Sequence, residues 1–475
     1  MVWVTYFRPA QRRATLTMKT LKLRRSLGLL LISGLGLSAA ACGGDTDDGG
    51  GADGKITLTI NGQPPKTQPF ERKIFDEDVA EFERTHENID LQPREGFMDP
   101  KTFATKLAGG QLEDVFYVFL TDPANLIARR QAADITDYLK DVPHVDQLQP
   151  ELTDIFTNDE GRVFGLPTAN YSMGLLYNRQ LFTQAGLNPD QPPTTWAEVR
   201  EAAKKITALG GDKVGFAEYS KDNQGGWHFT TWMYSMGGKV ATQDGDTWKA
   251  SFNNEKGREV LQTLHDMRWT DNTMGSKQLL VIEDVQRMMG AGQLGMYLAA
   301  PDNVPALVNQ FKSDYANYGL AGMPGGNGTL IGGEGYMINP KASPEKIKAG
   351  LQWIQWKYLN PDRMEADLKR YSDADQPIGL PSAPPNAAAD IWVGDLRTKQ
   401  QTLKETYATV PVENYQAFVD ALGTTEKFIE PPNAQQVYAA LDNVMQGVLT
   451  NRDANLDQLL SDAETKVNAA LAQVK

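Results

Sequence analysis

The 475-residue chain has a single cysteine, Cys42, and only four histidines. One cysteine cannot form an intrachain disulfide or a thiolate metal site, and the histidines are not spaced as metal ligands. Catalysis by a cysteine nucleophile or by a multi-histidine metal centre is therefore not expected. The sequence accordingly predicts no cofactor and no bound metal.

Positive charge is scarce beyond the first 42 residues. Those residues hold seven Lys and Arg and no Asp or Glu, whereas the remainder has 40 Lys and Arg against 60 Asp and Glu, a net charge of about −20. Nucleic-acid binding depends on Lys and Arg side chains that neutralise phosphates, so this acidic balance predicts no nucleic-acid partner. The length is too great for one ordinary core and favours two lobes.

A short apolar run at residues 27–37 follows a basic stretch that begins at Lys19. Small residues at 38–41 and then Cys42 come next. This order is typical of a secretory signal peptide, and the run is too short to span a membrane. Glycines within the run argue against the alternative, a buried core helix. Residues 1–41 are therefore predicted to be a signal peptide, and Met18 is the expected start because a complete signal follows it.

The cysteine that follows the small residues resembles the lipobox of bacterial lipoproteins. The resemblance implies that Cys42 is lipidated and holds the protein at the cell membrane on its extracytoplasmic side. Residues 42–54 are rich in Gly and Asp and are predicted to form a flexible polar tether.

The rest of the chain alternates strand and helix patterns. Strands are predicted where apolar residues alternate or run together, and helices where they recur at helical spacing. Thr195 and Glu198 have the spacing of a capping box, which predicts that a helix begins there. The predicted strands lie at 55–60, 88–93 and 114–120, and the predicted helices at 73–86, 255–268, 434–449 and 455–474. Such alternation predicts layered α/β lobes.

The block at residues 161–207 resembles the family 1 extracellular solute-binding proteins, which include the maltodextrin-binding proteins. It combines Gly-x-x-Gly-Leu-Pro, Leu-Tyr-Asn, Phe-x-x-x-Gly-Leu and Pro-Pro-x-Thr-Trp in one order. Further segments that resemble the family follow the same order along the chain, at 82–92, 232–240, 288–303 and 323–356. The resemblance spans most of 55–475 and is weakest from about 360 to 430.

The resemblance implies an α/β fold of the periplasmic-binding-protein-like type II, with two discontinuous lobes joined by hinge crossovers. One lobe would combine about 55–167 with 322–429, and the other about 168–321 with 430–475. It further implies a monomeric substrate-binding lipoprotein of an ABC importer that is not an enzyme. Such a protein would capture a mono- or oligosaccharide by closure of its lobes and deliver it to permease subunits in the membrane.

A sugar ring has apolar faces and a rim of hydroxyls, so its site needs aromatic rings beside side chains that form hydrogen bonds. The chain has such residues where the family places its ligand contacts. The expected ligand-binding residues are Tyr171, Trp227, Trp232, Asp302, Asn303, Glu334 and Tyr336.

Each assignment has an alternative. The aromatic residues could belong to the core, and Glu334 could pair with Lys341. The glycine-rich stretch at 322–335 matches no phosphate-binding motif and is predicted to be a loop or hinge. At the level of function, the alternatives are a receptor for a polyamine, a ferric chelate or a peptide, and a surface-anchored glycoside hydrolase. The hydrolase would need two carboxylates roughly 5–10 Å apart across a cleft.

Overall fold

The computed structural model describes residues 54–66, 68–96, 100–245, 247–381 and 390–474. The predicted signal peptide, the lipidation site at Cys42 and all of the tether except Gly54 lie outside these residues.

Strands and helices alternate along the described chain, as the sequence predicts. In chain order the strands are β1 (Ile56–Gln63), β2 (Ile89–Glu95), β3 (Val115–Phe119), β4 (Gly165–Ser172), β5 (Gly174–Asn178), β6 (Val214–Phe216), β7 (Ala241–Asp244), β8 (Thr247–Ala250), β9 (Leu294–Ala299), β10 (Tyr318–Ala321), β11 (Gly328–Ile338) and β12 (Glu426–Ile429). The helices are α1 (Pro69–Thr85), α2 (Pro100–Ala108), α3 (Pro123–Ala128), α4 (Pro150–Thr153), α5 (Arg179–Gln184), α6 (Trp196–Thr207), α7 (Gln224–Ser235), α8 (Glu255–His265), α9 (Ile282–Gly290), α10 (Asn303–Phe311), α11 (Pro344–Tyr358), α12 (Met364–Ser372), α13 (Gly394–Thr406), α14 (Gln416–Leu422), α15 (Ala434–Thr450) and α16 (Leu456–Leu471).

A large mixed sheet contains strands from both ends of the chain. Its order is β12-β11-β3-β1-β2, and β4 also pairs with β11. The β1–β2 and β1–β3 pairs are parallel, with Leu58 opposite Leu91 and Ile60 opposite Val115. β11 runs antiparallel to both β3 and β4. Parallel pairs of this kind need helical crossovers, which α1 and α2 supply.

A smaller sheet has the order β10-β5-β9-β6. Its central strand pair is antiparallel and places Leu176 opposite Tyr297, while β6 is parallel to β9. All residues of β5, β9 and β10 are buried, as expected of strands covered on both faces.

The carboxyl-terminal helices pack beside this smaller sheet. α15 lies against α7, and a Cβ placed on Gly226 would lie 2.2 Å from the carbonyl oxygen of Tyr438. A residue larger than glycine would therefore separate the two helices. Val437, Leu441, Val444 and Val448 of α15 are fully buried or nearly so, which confirms the helical face predicted from their spacing.

Local sequence signals are confirmed at several elements. Thr195 accepts a hydrogen bond from the backbone of Glu198, whose side chain in turn accepts from the backbone of Thr195, so the predicted capping box begins α6. The predicted strands near 55, 88 and 114 correspond to β1, β2 and β3.

The glycine-rich stretch is not all loop, although its residues Thr329 and Leu330 lie beside the crossover at Met173. The second half of the glycine-rich stretch, predicted to be a loop or hinge, is β11, an inner strand of the large sheet. A Cβ on Gly333 would lie 2.3 Å from the carbonyl oxygen of Ala169. The glycines therefore allow neighbouring strands to approach closely.

Within the described part of the chain, no helix is long and apolar enough to cross a membrane. Over the same residues, no group of three or more His, Cys, Asp or Glu side chains is placed to hold a metal ion.

Candidate ligand-binding site

The chain passes from the large sheet to the small sheet between β4 and β5, at Met173. The return passage from β10 to β11 lies beside it. The backbone N–H of Met173 donates to the carbonyl of Leu330 at 3.0 Å, and the Thr329 hydroxyl donates to the carbonyl of Met173 at 2.8 Å. These hydrogen bonds hold the two passages together and form a hinge region between the sheets.

Tyr171 lies on β4 immediately before this hinge region. It is opposite Gly332 of β11, and a Cβ on that glycine would lie 2.3 Å from the Tyr171 hydroxyl, so the phenol ring lies over the glycine. Burial raises the pKa of Tyr171, and the charges of Glu430 and Asp302 raise it further. Tyr171 is therefore close to two carboxylates that come from distant parts of the sequence.

Glu334 lies on β11 and is partly buried. Its Oε2 accepts a hydrogen bond of 2.5 Å from the hydroxyl of Tyr117 on β3. Burial raises the pKa of Glu334, and the Tyr117 hydrogen bond opposes that effect. The alternative pairing with Lys341 is not formed, because the Lys341 ammonium donates to the carbonyl of Leu107.

Tyr336 is two residues further along β11 and is only 2 % exposed. Its hydroxyl shares a hydrogen bond of 2.8 Å with that of Tyr358, and the two rings stack 4.9 Å apart. The edge of the Tyr117 ring lies against its ring, with centroids 5.8 Å apart. Tyr336 therefore packs against the ring of Tyr117. Its hydroxyl already forms a hydrogen bond with Tyr358 and is not free to bind a solute.

Glu430 and Asp122 are two further carboxylates, each of which follows a strand of the large sheet. Burial raises the pKa of Glu430 to about 7, with a contribution from the charge of Asp122, although the Tyr438 hydroxyl donates to it at 2.9 Å. Burial raises the pKa of Asp122 to about 6. The Asn125 side chain of α3 donates to Asn433, next to the start of α15, at 3.4 Å. This contact links the segments that follow β3 and β12, the strands after which Asp122 and Glu430 lie.

Trp227 and Asp302 are half-buried and lie on the side of the small sheet. Trp227, in the first turn of α7, packs against both hydrophobic cores that flank that sheet. Asp302 immediately precedes α10. Burial is the main cause of the raised pKa of Tyr171 and of Tyr219, and the charge of Asp302 raises both pKa values further. The charge of Asp302 therefore acts on Tyr171 beside the hinge region, and Trp227 packs against the core that contains Tyr171.

Trp232 and Asn303 lie in the core, which corrects their assignment as solute contacts. Trp232 has no exposed surface, because its indole stacks on Trp196 at a centroid distance of 3.4 Å and donates to Glu218 at 2.6 Å. The side-chain oxygen of Asn303 accepts hydrogen bonds from Gln286 and from the Tyr297 hydroxyl. Neither side chain has a free face or a free hydrogen-bonding group directed at the hinge region.

Two buried polar atoms, one on the residue before Tyr171 and one affected by the charge of Asp302, have no hydrogen-bond partner among the described residues. They are Oδ1 of Asn170, on the same strand, and the hydroxyl of Tyr219, whose pKa is raised by burial and then by nearby charges that include Asp302. Unpaired buried polar groups cost about 1–3 kcal/mol each, and a bound molecule that hydrogen-bonds to them would remove that cost.

The charged side chains assigned to the site are all carboxylates. In the described chain, no Lys or Arg forms an ion pair with Asp122, Glu334 or Glu430, and the pKa of all three is raised mainly by burial. The site can therefore accept hydrogen bonds from hydroxyls or hold a cation, but it has no cationic partner for an anion.

Several residues of this site were not predicted from the sequence, namely Tyr117, Asp122, Asn170 and Glu430. Tyr117 lies in a strand whose apolar run suggests only core packing. Asp122 follows the end of that strand, which is a usual position for binding residues in α/β sheets and could have indicated it. Glu430 comes directly after the segment where the family resemblance is weakest.

Known proteins share this architecture. The chain is 23 % identical over 342 residues to the sn-glycerol-3-phosphate-binding periplasmic protein UgpB of Brucella melitensis, covering 69 % of this chain and 71 % of that protein. The structure of the present chain is similar to that of an ABC transporter solute-binding protein from Thermotoga lettingae bound with α-D-tagatose. The TM-score is 0.66 and the identity 20 %, and the match covers 87 % of this chain and 99 % of the other. It is also similar to the sugar-binding protein MalE of Xanthomonas citri, with a TM-score of 0.67 and 18 % identity, covering 88 % and 98 %.

These similarities confirm the two-lobed α/β fold of type II periplasmic binding proteins. The family model described as bacterial extracellular solute-binding protein matches residues 67–361, which is more than half of the chain. The strand order, the hinge region and the match over that length agree: this chain is a member of the bacterial extracellular solute-binding protein family.

Proposed function

We propose that this protein captures an uncharged carbohydrate between its two sheets. One observation carries the proposal: two tyrosines and two carboxylates lie beside the hinge region. Tyr117 contacts Glu334, and the charge of Glu430 acts on Tyr171. Aromatic rings can cover the apolar face of a sugar, while carboxylates accept hydrogen bonds from its hydroxyls. Trp227 and Asp302 complete the proposed site from the small-sheet side.

The charges of the site favour a neutral solute over a phosphorylated one. The Brucella relative is named for binding sn-glycerol-3-phosphate, and a phosphate needs Lys, Arg or backbone N–H donors. The proposed site instead contains Asp122, Glu334 and Glu430 without an ion-paired cation among the described residues. A phosphate placed here would be repelled, and a sugar hydroxyl would be bound.

The proposed mechanism is closure. One lobe would combine about 55–167 with 322–429 and the other about 168–321 with 430–475, although α14 packs against β10 of the small sheet and so links the two. A solute that touches both lobes binds the closed form better and shifts the population towards it. The closed form would then be recognised by the permease subunits of an ABC importer. The protein would act as a monomer, and a lipid on Cys42 would hold it at the membrane outside the cytoplasm. No covalent step is involved.

A thermal-shift screen of the purified protein against neutral mono- and oligosaccharides tests the proposal. At least one sugar should raise the melting temperature in a saturable way, because a ligand that binds only the folded state stabilises it. Glu334→Gln should weaken that response. The control Glu87→Gln changes an exposed carboxylate just after the end of α1 and should not weaken it. A screen in which no sugar stabilises the protein would contradict the proposal.

A cationic solute such as a polyamine is the second candidate, because Asp122 and Glu430 lack a cationic partner among the described residues. Spermidine and putrescine belong in the same screen. Stabilisation by these amines without any response to sugars would favour the second candidate. Incubation with a chromogenic glycoside separates both from a glycoside hydrolase, which would release the chromophore.

A further inference from the structure

A second polar cavity lies away from the candidate ligand-binding site, between α13 and α14. Its volume is about 310 Å³, and it is lined by Asp390, by Arg397 and Lys404 of α13, and by Tyr415 and Gln416 at the start of α14. None of the residues of the candidate ligand-binding site lines it. A cavity of this size is large enough for a small ligand.

Lys404 is the unusual residue of this cavity. It is only 7 % exposed, and burial lowers its pKa to about 8. Among the described residues, no carboxylate lies within 4.0 Å of its ammonium, and no acceptor forms a hydrogen bond with it. A buried lysine without a partner is costly, so it is expected where a ligand supplies the missing negative charge.

The charge of nearby Asp390 favours the ammonium form of Lys404, but burial outweighs it. Asp390 already lies 3.6 Å from Nε of Arg397 and 4.0 Å from Nζ of Lys427. Glu405 also lines the cavity, but it is exposed and accepts a hydrogen bond from Gln401 at 2.9 Å. Asp390 is thus shared between two other cations, and Lys404 is left without an ion pair among the described residues.

We propose that this cavity is a second binding site, which takes a small oxyanion between the Lys404 ammonium and the Arg397 guanidinium. The shared chemistry is that of a phosphate or carboxylate group, for which an ammonium and a planar guanidinium are the usual partners. Helix α13 packs against the core of the large sheet through Leu396 and Leu403, and α14 packs against a core of the small sheet through Phe418. An anion held here would contact helices from both sides of the protein.

Calorimetric titration of the purified protein with inorganic phosphate, and separately with acetate, tests the site against sodium chloride at equal ionic strength. Saturable binding of either probe supports the proposal and identifies which oxyanion fits. Lys404→Met should weaken that binding by about tenfold or more, because it removes a charged hydrogen-bond donor. The control Lys399→Met changes an exposed lysine of the same helix and should leave the affinity unchanged. The absence of saturable binding of both probes, or equal affinity in Lys404→Met, would overturn it.

A second measurement keeps the test decisive should Lys404→Met fail to fold. Carbon-13 labelling of the lysine ε-carbons reports the pKa of Lys404 in the unaltered protein. Saturating phosphate or acetate should raise that pKa above its value in chloride, because a bound anion favours the ammonium form. A pKa that is the same in all three salts would contradict the proposal.

Discussion

The hydroxyl of Tyr117 donates a hydrogen bond of 2.5 Å to the carboxylate of Glu334, a residue 217 positions away in the sequence. The two side chains share one face of the large sheet, where Tyr336 packs beneath Tyr117. The hydrogen bond fixes the orientation of the carboxylate and leaves its second oxygen available to a solute. The proposed site thus depends on a contact between β3 and β11 that no local sequence motif encodes.

The first prediction concerns this pair. Glu334→Gln should lower the affinity for the solute by about tenfold or more, because hydrogen bonds to a charged acceptor contribute about 1.5–3 kcal/mol. Tyr117→Phe should cause a smaller loss, since the carboxylate remains but is less well oriented. Titration calorimetry with a sugar found in the screen measures both. Wild-type affinity in Glu334→Gln would rule out a direct contact.

The second prediction concerns pH. The pKa of Glu430 is about 7 in the folded protein against an ordinary value of 4.5, so the folded state binds more protons than the unfolded state between these values. Ionisation of Glu430 therefore lowers the free energy of unfolding as pH rises from about 4 to 7. Glu430→Gln, which keeps an acceptor for Tyr438, should be more stable than the wild type by about 1–3 kcal/mol at pH 8 and equal to it near pH 4. Urea unfolding at both pH values measures this difference, and equal stability at pH 8 would refute it.

The third prediction separates two tryptophans of α7. Trp232→Ala should lower the free energy of unfolding by about 3–5 kcal/mol, because it removes a fully buried ring stacked on Trp196. Trp227→Ala should cost less stability, since Trp227 is only half-buried, but should weaken solute binding more. Urea unfolding and calorimetric titration of both variants provide the comparison. A greater loss of affinity in Trp232→Ala, measured while that variant is folded, would reverse the assignment.

The fourth prediction concerns a buried ion cluster that shares no residue with the candidate ligand-binding site. Asp78 of α1 is 1 % exposed and contacts Lys357, Arg363 and Arg370. Burial alone would raise the pKa of Asp78, but Lys357 and then Arg370 outweigh burial and lower it.

The pH dependence of this cluster has the opposite sign to that of Glu430. The contribution of Asp78 is present above its ordinary pKa and is lost as pH falls through its lowered value. Asp78→Asn should lower the free energy of unfolding at pH 7 by about 3–5 kcal/mol, because Lys357, Arg363 and Arg370 all lose their ion pair with this buried carboxylate. The exposed control Asp362→Asn should change it little, and neither variant should alter solute affinity. A variant Asp78→Asn as stable as the wild type would show that the cluster contributes nothing.

The sequence predicts elements better than it predicts the site. The capping box at Thr195 and the apolar faces of α15 and α16 depend on residues a few positions apart, so their signals are local and were confirmed. β11 was missed because its glycines, which allow close approach to β4, are typical of loops when no neighbouring strand is known. Whether Trp232 lies in a cleft or a core depends on Trp196 and Glu218, which are distant in sequence. Glu430 and Asp122 are brought together only by the fold.

Small-angle scattering of the purified protein, with and without a saturating sugar, tests the central claim most directly. Mass spectrometry of the same samples shows whether the sugar is recovered unchanged. Binding between the lobes should favour the closed form and reduce the radius of gyration, and Glu334→Gln should need more sugar to reach the same reduction. An unchanged radius of gyration at saturation, or a sugar recovered in cleaved form, would contradict capture by closure.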